Sequence, residues 1–158
     1  MIGYLFLIGF LLETLVAFNC SAEEPPIAIK AMLSSNGDTV FINAAMQKGW
    51  YCYGIEPKEN SDGIGPQATA AIVEDELDAV KSDGIIAPKP ITKFDEGFDM
   101  NIDTYSNAVL FKIPLAWKGG IRLKSPYVVK AGLYLQLCDG KTCLPPTDYT
   151  VELDIGEK

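Results

Sequence analysis

Past residue 22, apolar and polar residues alternate with a period of two much more often than with the helical period of 3.6. The alternating segments are short, rich in β-branched and aromatic residues, and separated by Gly, Pro, Asn and Asp. They are residues 27–33, 39–46, 49–54, 67–73, 107–117, 127–138 and 149–155. Between the first two, Asn36 and Gly37 predict a hairpin turn in which both have positive φ. Seven or so strands at this spacing predict an all-β chain folded as a β-sandwich.

Two stretches between these strands have a different character. Residues 73–84 contain the one helical candidate, although an acidic loop or a single helical turn explains them about as well. Residues 85–103 contain Pro88 and Pro90, which are incompatible with a central strand. A surface excursion is therefore expected over residues 85–103.

Size and charge exclude several classes of function. The 158 residues, 48% of them hydrophobic, suffice for one ordinary core and one domain. The formal net charge is −8 and no run of Lys or Arg is present, so nucleic acid is not expected as a partner. Histidine is absent, which removes the commonest general base, the commonest zinc ligand and every Cys-His nucleophile. No metal and no cofactor are expected.

Residues 1–22 are mostly apolar with a single charge, Glu13, and predict a secretory signal ahead of one domain over residues 23–158. Cleavage after Ala22 fits the small residues that a signal peptidase requires. Lipidation of Cys20 and a retained N-terminal membrane anchor are the alternatives. Export would place the domain in an oxidising compartment, where disulfides persist.

The four cysteines are Cys20, Cys52, Cys138 and Cys143. Cys52 lies in an aromatic strand and is expected to be a small buried side chain. Cys138 and Cys143 flank a four-residue loop of turn formers. Zinc is disfavoured because no His and no second Cys pair would complete four ligands. A bridge here closes a loop of only about six residues and stabilises weakly, so spacing alone fits a structural bridge and a redox pair equally well.

The sequence around this pair, YLQLCDGKTCLPPTDYTVEL, resembles the end of the N-terminal periplasmic domain of the thiol:disulfide interchange protein DsbD, also described as the disulfide bond corrector family. In that family a strand leads into a Cys, a short polar loop, a second Cys and Pro-Pro. Two further stretches, KGWYCYG and KFDEGFDMNIDTY, match the family in the same order. The resemblance covers residues 25–156 and implies an immunoglobulin-like β-sandwich.

The resemblance also implies a redox couple, two active-site tyrosines and a cap loop whose aromatic ring shields the sulfurs until a partner displaces it. These are, in that order, Cys138 and Cys143, Tyr51 and Tyr53, and Asp95, Glu96 and Phe98. From the residues alone, Phe98 also fits a core position, the two carboxylates a solvated loop, and the tyrosines an ordinary sheet. In the family the second cysteine makes the intermolecular bond, so Cys143 is expected to exchange and Cys138, which ends an apolar strand, to resolve.

The predicted function is thiol:disulfide interchange in the periplasm. The pair would pass electrons from a membrane-embedded or thioredoxin-like thiol reductase to exported thiol proteins. The membrane segments and the thioredoxin-like domain of full-length DsbD have no counterpart here, so separately encoded partners are expected. Strong thiolate activation is not expected, because Asp139 opposes the nearby cation Lys141. The alternative is a non-catalytic immunoglobulin-like binding or adhesion module with a structural disulfide.

Overall fold

The computed structural model describes residues 24–156. The signal predicted over residues 1–22, with its cleavage after Ala22 and the alternatives of lipidation at Cys20 or a retained anchor, lies outside the described residues. Within the described part of the chain, no helix is both long enough and apolar enough to cross a membrane.

Residues 24–156 form eleven strands, and a short 3-10 helix at Lys118–Gly120. The strands are β1 (Ile27–Leu33), β2 (Thr39–Met46), β3 (Tyr51–Tyr53), β4 (Ala70–Glu74), β5 (Val80–Ser82), β6 (Ile91–Asp95), β7 (Met100–Ser106), β8 (Ala108–Trp117), β9 (Val128–Leu135), β10 (Leu137–Cys138) and β11 (Thr147–Asp154). They pair antiparallel in three sheets of order β1-β2-β8-β5, β10-β3-β7-β6 and β11-β9-β4. Only Gln136 separates β9 of the third sheet from β10 of the second, so the chain passes directly from one sheet into the other at this residue.

The main core packs buried side chains from all three sheets of the sandwich against one another. Buried and exposed residues alternate along β2, β8 and β9, as side chains on opposite faces of a strand must. The largest fully buried side chains of this core include Phe111, Ile42, Ile113, Leu133, Leu135 and Leu137. Burying a side chain of this size contributes about 1.5–3 kcal/mol, which makes this core the main source of stability. The predicted all-β sandwich is confirmed.

The first hairpin agrees with its prediction except in its turn. β1 and β2 have the predicted bounds, and Gly37 has a φ of 72°. The prediction of positive φ at Asn36 is wrong. The loop from Ser34 is longer than a two-residue turn and closes with a Ser34 N–H to Thr39 carbonyl bond of 2.8 Å. A longer loop needs positive φ at fewer positions.

The helical candidate at residues 73–84 is wrong, and the acidic-loop alternative is correct. β4 continues to Glu74, and β5 begins at Val80. Between them Asp75 organises a turn, because its carboxylate accepts the Leu77 N–H at 2.8 Å and the Val80 N–H at 3.1 Å. Aspartate side chains often accept nearby backbone N–H groups in this way, and these bonds favour a turn over a helix.

The surface excursion predicted over residues 85–103 is correct only in part. Pro88 and Pro90 lie outside the strands, and β6 is an edge strand. However, β7 is an interior strand between β3 and β6. Its sequence contains strand-disfavouring polar residues, but the Asp103 carboxylate pairs with the Lys58 ammonium at 2.8 Å. That long-range partner is invisible to local sequence patterns.

Candidate functional site

The site is built on the outer face of the β10-β3-β7-β6 sheet. Cys52 faces the core from β3, and its paired residue in β10 is Leu137, which is also fully buried in the core. Neighbouring residues in a strand point to opposite faces, so Tyr51 and Tyr53 lie on the outer face. Cys138 pairs with Tyr51 and therefore shares that face.

Cys138 and Cys143 form a disulfide across a built turn, with their Cα atoms 4.1 Å apart. The Asp139 carboxylate accepts the N–H groups of Lys141 and Thr142, both at 2.8 Å. These donors, Thr142 first, hold the pKa of Asp139 below its usual value. Gly140 has a φ of 87°, a conformation that favours glycine. The short loop is therefore shaped by its own residues and does not depend on the bridge alone.

The two bonded cysteines differ in their access to solvent. Cys138 is fully buried, in a small cluster with Tyr53 and Ile102. Cys143 follows the turn and is exposed, as are the two prolines at positions 145 and 146. The expected difference in burial between the two cysteines is confirmed. Cys143 is therefore the more accessible of the two cysteines.

The Tyr53 hydroxyl contacts both sulfurs. It lies 3.2 Å from Cys138 Sγ and 3.6 Å from Cys143 Sγ. Disulfide sulfurs carry no hydrogen, so the hydroxyl is the donor in both contacts. Burial raises the pKa of Tyr53 above that of a free phenol, and Tyr51 and the Asp95 carboxylate add to the effect. The hydroxyl consequently keeps its proton at neutral pH and can donate it to sulfur.

The turn between β6 and β7, residues 96–99, forms a cap beside this cluster. The ring of Phe98 is half-buried and meets the Tyr53 ring edge-to-face, with centroids 6.0 Å apart. Asp95 shapes the turn, because its Oδ1 accepts the Gly97 N–H at 2.9 Å and the Phe98 N–H at 3.3 Å. Glu96 is exposed on the same turn. The structure thus brings Phe98 and Asp95 to the disulfide cluster and leaves Glu96 at its rim.

Two residues beside the site were not identified from the sequence. The Lys93 ammonium lies 3.4 Å from the centroid of the Tyr51 ring, a cation–π contact. Lys93 and Asp95 are two apart in β6, so the period of two could have placed Lys93 on this face. The Asn60 side chain donates to the Phe98 carbonyl at 3.0 Å. No local pattern signals that contact, because 38 residues separate the two positions.

Cys52 lies on the opposite face of the sheet from the disulfide. It is fully buried among core residues, as predicted, and is a free thiol. Burial raises the pKa of Cys52 to about 11, so almost no thiolate exists at neutral pH. Within residues 24–156, no group of three or more Cys, Asp or Glu side chains is arranged to hold a metal ion.

The family model described as thiol:disulfide interchange protein DsbD, N-terminal, matches residues 21–155. The reduced DsbD N-terminal domain of Neisseria meningitidis is similar in structure, with a TM-score of 0.55 and 16% identity over 84% of this chain and 87% of that chain. The complex between the DsbD N-terminal and PilB N-terminal domains from Neisseria meningitidis is also similar, with a TM-score of 0.54 and 16% sequence identity. This match covers 85% of this chain and 87% of that chain. A comparison with curated proteins finds no match.

The family match includes the three sequence stretches that carried the resemblance, and the structural matches have the same immunoglobulin-like sandwich. The resemblance seen in the sequence is confirmed. Because the family model matches residues 21–155, which is most of the chain, the chain belongs to the family of DsbD N-terminal domains.

Proposed function

We propose that residues 23–158 are a periplasmic thiol:disulfide interchange domain, exported by the signal at residues 1–22. Cys138 and Cys143 are its redox couple. The observation that carries the proposal is the disulfide itself, whose two sulfurs differ in burial and both contact the Tyr53 hydroxyl. A bridge that serves only as structure requires neither the unequal access nor the shared donor.

Reduction of the domain follows from this geometry. The thiolate of a reduced partner attacks Cys143 Sγ, which forms a partner–Cys143 disulfide and releases Cys138 as a thiolate. The Tyr53 hydroxyl, 3.2 Å from Cys138 Sγ, donates to the released negative charge. A second thiolate of the partner then attacks its own sulfur in the mixed disulfide. Cys143 leaves, both cysteines take up protons, and the partner holds the new disulfide.

The same steps in reverse pass the electrons on. The Cys143 thiolate attacks a disulfide of an exported protein, and Cys138 resolves the mixed disulfide by attacking Cys143. Two electrons leave the domain, and its bridge forms again. We propose a thioredoxin-like or membrane-embedded thiol reductase as the donor. The Neisseria complex of a DsbD N-terminal domain with a PilB domain supports protein partners for this family.

The reduction potential tests this function against a binding module with a structural bridge. We expect equilibration with thioredoxin near its potential of about −270 mV, whereas structural disulfides lie below about −300 mV. The fold should survive reduction, because a loop this short contributes only about 2 kcal/mol. A Cys52→Ala chain restricts the titration to the pair. Resistance to thioredoxin, or loss of the near-UV circular dichroism on reduction, would favour the binding module.

We propose that Phe98 shields the couple, and its removal gives a second test. Phe98→Ala should speed alkylation of the reduced pair several-fold, since the ring packs on the cluster that holds Cys138. The stability cost should be about 1–2 kcal/mol, below the 3–5 kcal/mol of a core phenylalanine, because the ring is half-buried. Stopped-flow alkylation and urea denaturation measure the two effects.

Phe94→Ala is the matched control for this experiment. Phe94 is 57% exposed and lies in the same hairpin. It follows Lys93, which faces the site, so its own ring points to the opposite face. Alkylation should not change in this variant. Unchanged alkylation in Phe98→Ala with a loss of several kcal/mol would place Phe98 in the core instead.

A further inference from the structure

We propose that Asn60 is a latch that holds the cap turn closed over the disulfide. Its Nδ2 donates to the carbonyl of Phe98, the residue whose ring packs on Tyr53, at 3.0 Å. Asn60 lies in the loop between β3 and β4, remote in sequence from the cap. The inference rests on the proposed exchange function for its biological role and names a residue that regulates access to that same site.

The orientation of the Asn60 amide follows from its other bonds. Its Oδ1 accepts the N–H groups of Asp62 at 3.0 Å and Ile64 at 3.1 Å. Only an oxygen can accept these donors, so the NH2 group must face the cap. The Asn60 N–H also donates to the Ile64 carbonyl at 2.9 Å, which closes the loop on itself. The Asn60 side chain is therefore held in its bonding orientation by its own loop, and it does not have to become ordered when the cap closes.

The base of the latch is fixed to the sheet. Lys58, two residues before Asn60, pairs with Asp103 of β7 at 2.8 Å. The Gly54 N–H donates to the Asp103 carbonyl at 2.7 Å. Further along the loop, the Thr69 hydroxyl donates to the Tyr53 carbonyl at 2.6 Å. The loop thus has bonds to the strands that carry the site on both sides of Asn60.

The hydrogen bonds of the cap itself are of a different kind. Asp95 bonds the N–H groups of Gly97 and Phe98, which belong to the turn that directly follows it. These bonds can move with the turn as it opens. The Asn60 bond crosses from the turn to another loop, so opening must break it. A partner that displaces the Phe98 ring must therefore also release Asn60.

Asn60→Asp tests the latch with almost no change in shape. An aspartate keeps the acceptor for Asp62 and Ile64 but places a second carboxylate oxygen against the Phe98 carbonyl. We expect reduction of the oxidised chain by dithiothreitol to become roughly fivefold faster, the change in open population that loss of one hydrogen bond gives. Ser61→Asp, at an exposed neighbour, adds the same charge and should leave the rate unchanged.

A double variant shows whether Asn60 acts through the cap. In a Phe98→Ala chain, Asn60→Asp should give no further acceleration, since no ring remains to be held. A purely structural role would accelerate reduction in both backgrounds and would overturn the latch. If Asn60→Asp fails to fold, Asn60→Ser carries the test, because a serine can still cap the turn but is too short to reach Phe98. An unchanged rate in the folded variant would also overturn the proposal.

Dithiothreitol keeps this test independent of the proposed function. The reagent reports access to the bridge and needs no physiological partner. A wild-type chain that resists thioredoxin, together with a faster Asn60→Asp chain, would reject the exchange function and keep the latch. A wild-type chain that exchanges with thioredoxin, together with an unchanged Asn60→Asp rate, would keep the function and reject the latch.

Discussion

A Cys138→Ser chain will accumulate a covalent complex with a thioredoxin-like partner through Cys143, and Cys143→Ser will give at least about tenfold less, because exchange requires access to the attacked sulfur. The physical reason is that Cys143 is exposed, whereas Cys138 is fully buried in its cluster with Tyr53 and Ile102. Among residues 24–156, the thiol that remains besides Cys143 is Cys52, which is buried in the core on the opposite side of the sheet and cannot resolve the bond. The experiment uses a partner whose own second cysteine is replaced by serine and whose remaining thiol is activated as a mixed disulfide with thionitrobenzoate, so that no partner thiol can resolve the bond. The complex then persists and is seen by non-reducing electrophoresis.

Cys52, the free cysteine among residues 24–156, provides the control for this experiment. Cys52→Ala should leave trapping unchanged in both the Cys138→Ser and the Cys143→Ser chain, because Cys52 is buried with its pKa raised to about 11 by that burial. Equal trapping by the Cys138→Ser and Cys143→Ser chains would refute the assignment of Cys143 as the exchanging residue. No trapping by either chain would favour the binding module.

Gly132→Ala will destabilise the fold by about 3 kcal/mol or more, in the range of mutations that force a backbone to move. Gly132 lies in β9, the strand that leads into Cys138, and pairs with Thr150 of β11. A Cβ at this position would overlap the backbone carbonyl of Tyr149, which is part of the ladder and cannot rotate away. Urea denaturation followed by circular dichroism measures the loss.

Val128→Ala is the matched control, because Val128 is in the same strand and 51% exposed. It should cost under about 1 kcal/mol, the usual effect of a surface change. A Gly132→Ala chain as stable as this control would mean that β9 and β11 can separate locally at no cost. In that case the close approach would not fix the strand that positions Cys138.

The strands with a clean period of two could be predicted, and those stabilised by remote partners could not. β1 and β2 have regular alternation and turn residues at both ends, so their bounds agree with the prediction. β7 was missed because its polar residues disfavour a strand, and the Lys58 partner of Asp103 comes from a separate loop. β5 was missed because three residues are too few to show a period.

The same distinction holds for the site. Cys138, Cys143, Tyr53 and Phe98 were identified because short motifs around them resemble the family, and the structure gathers them in one cluster. Their catalytic and shielding roles remain predictions. Asn60 was missed because its local sequence indicates only a turn, and its bond to the cap exists only after β3 and β7 have paired.

The pleat of β3 also decides which thiols can meet. Cys52 is paired with Leu137, the residue before Cys138, yet the two cysteines lie on opposite sides of one sheet. A slip of one residue between β3 and β10 would turn Cys52 outward and bury the tyrosines that contact the disulfide. Cys52 would then compete with Cys143 for Cys138, and a wrong bridge would lock the slipped register in place. Correct strand registration therefore keeps Cys52 apart from the Cys138–Cys143 bridge, and oxidation before the strands have paired is the hazard that a chain carrying Cys52 must avoid.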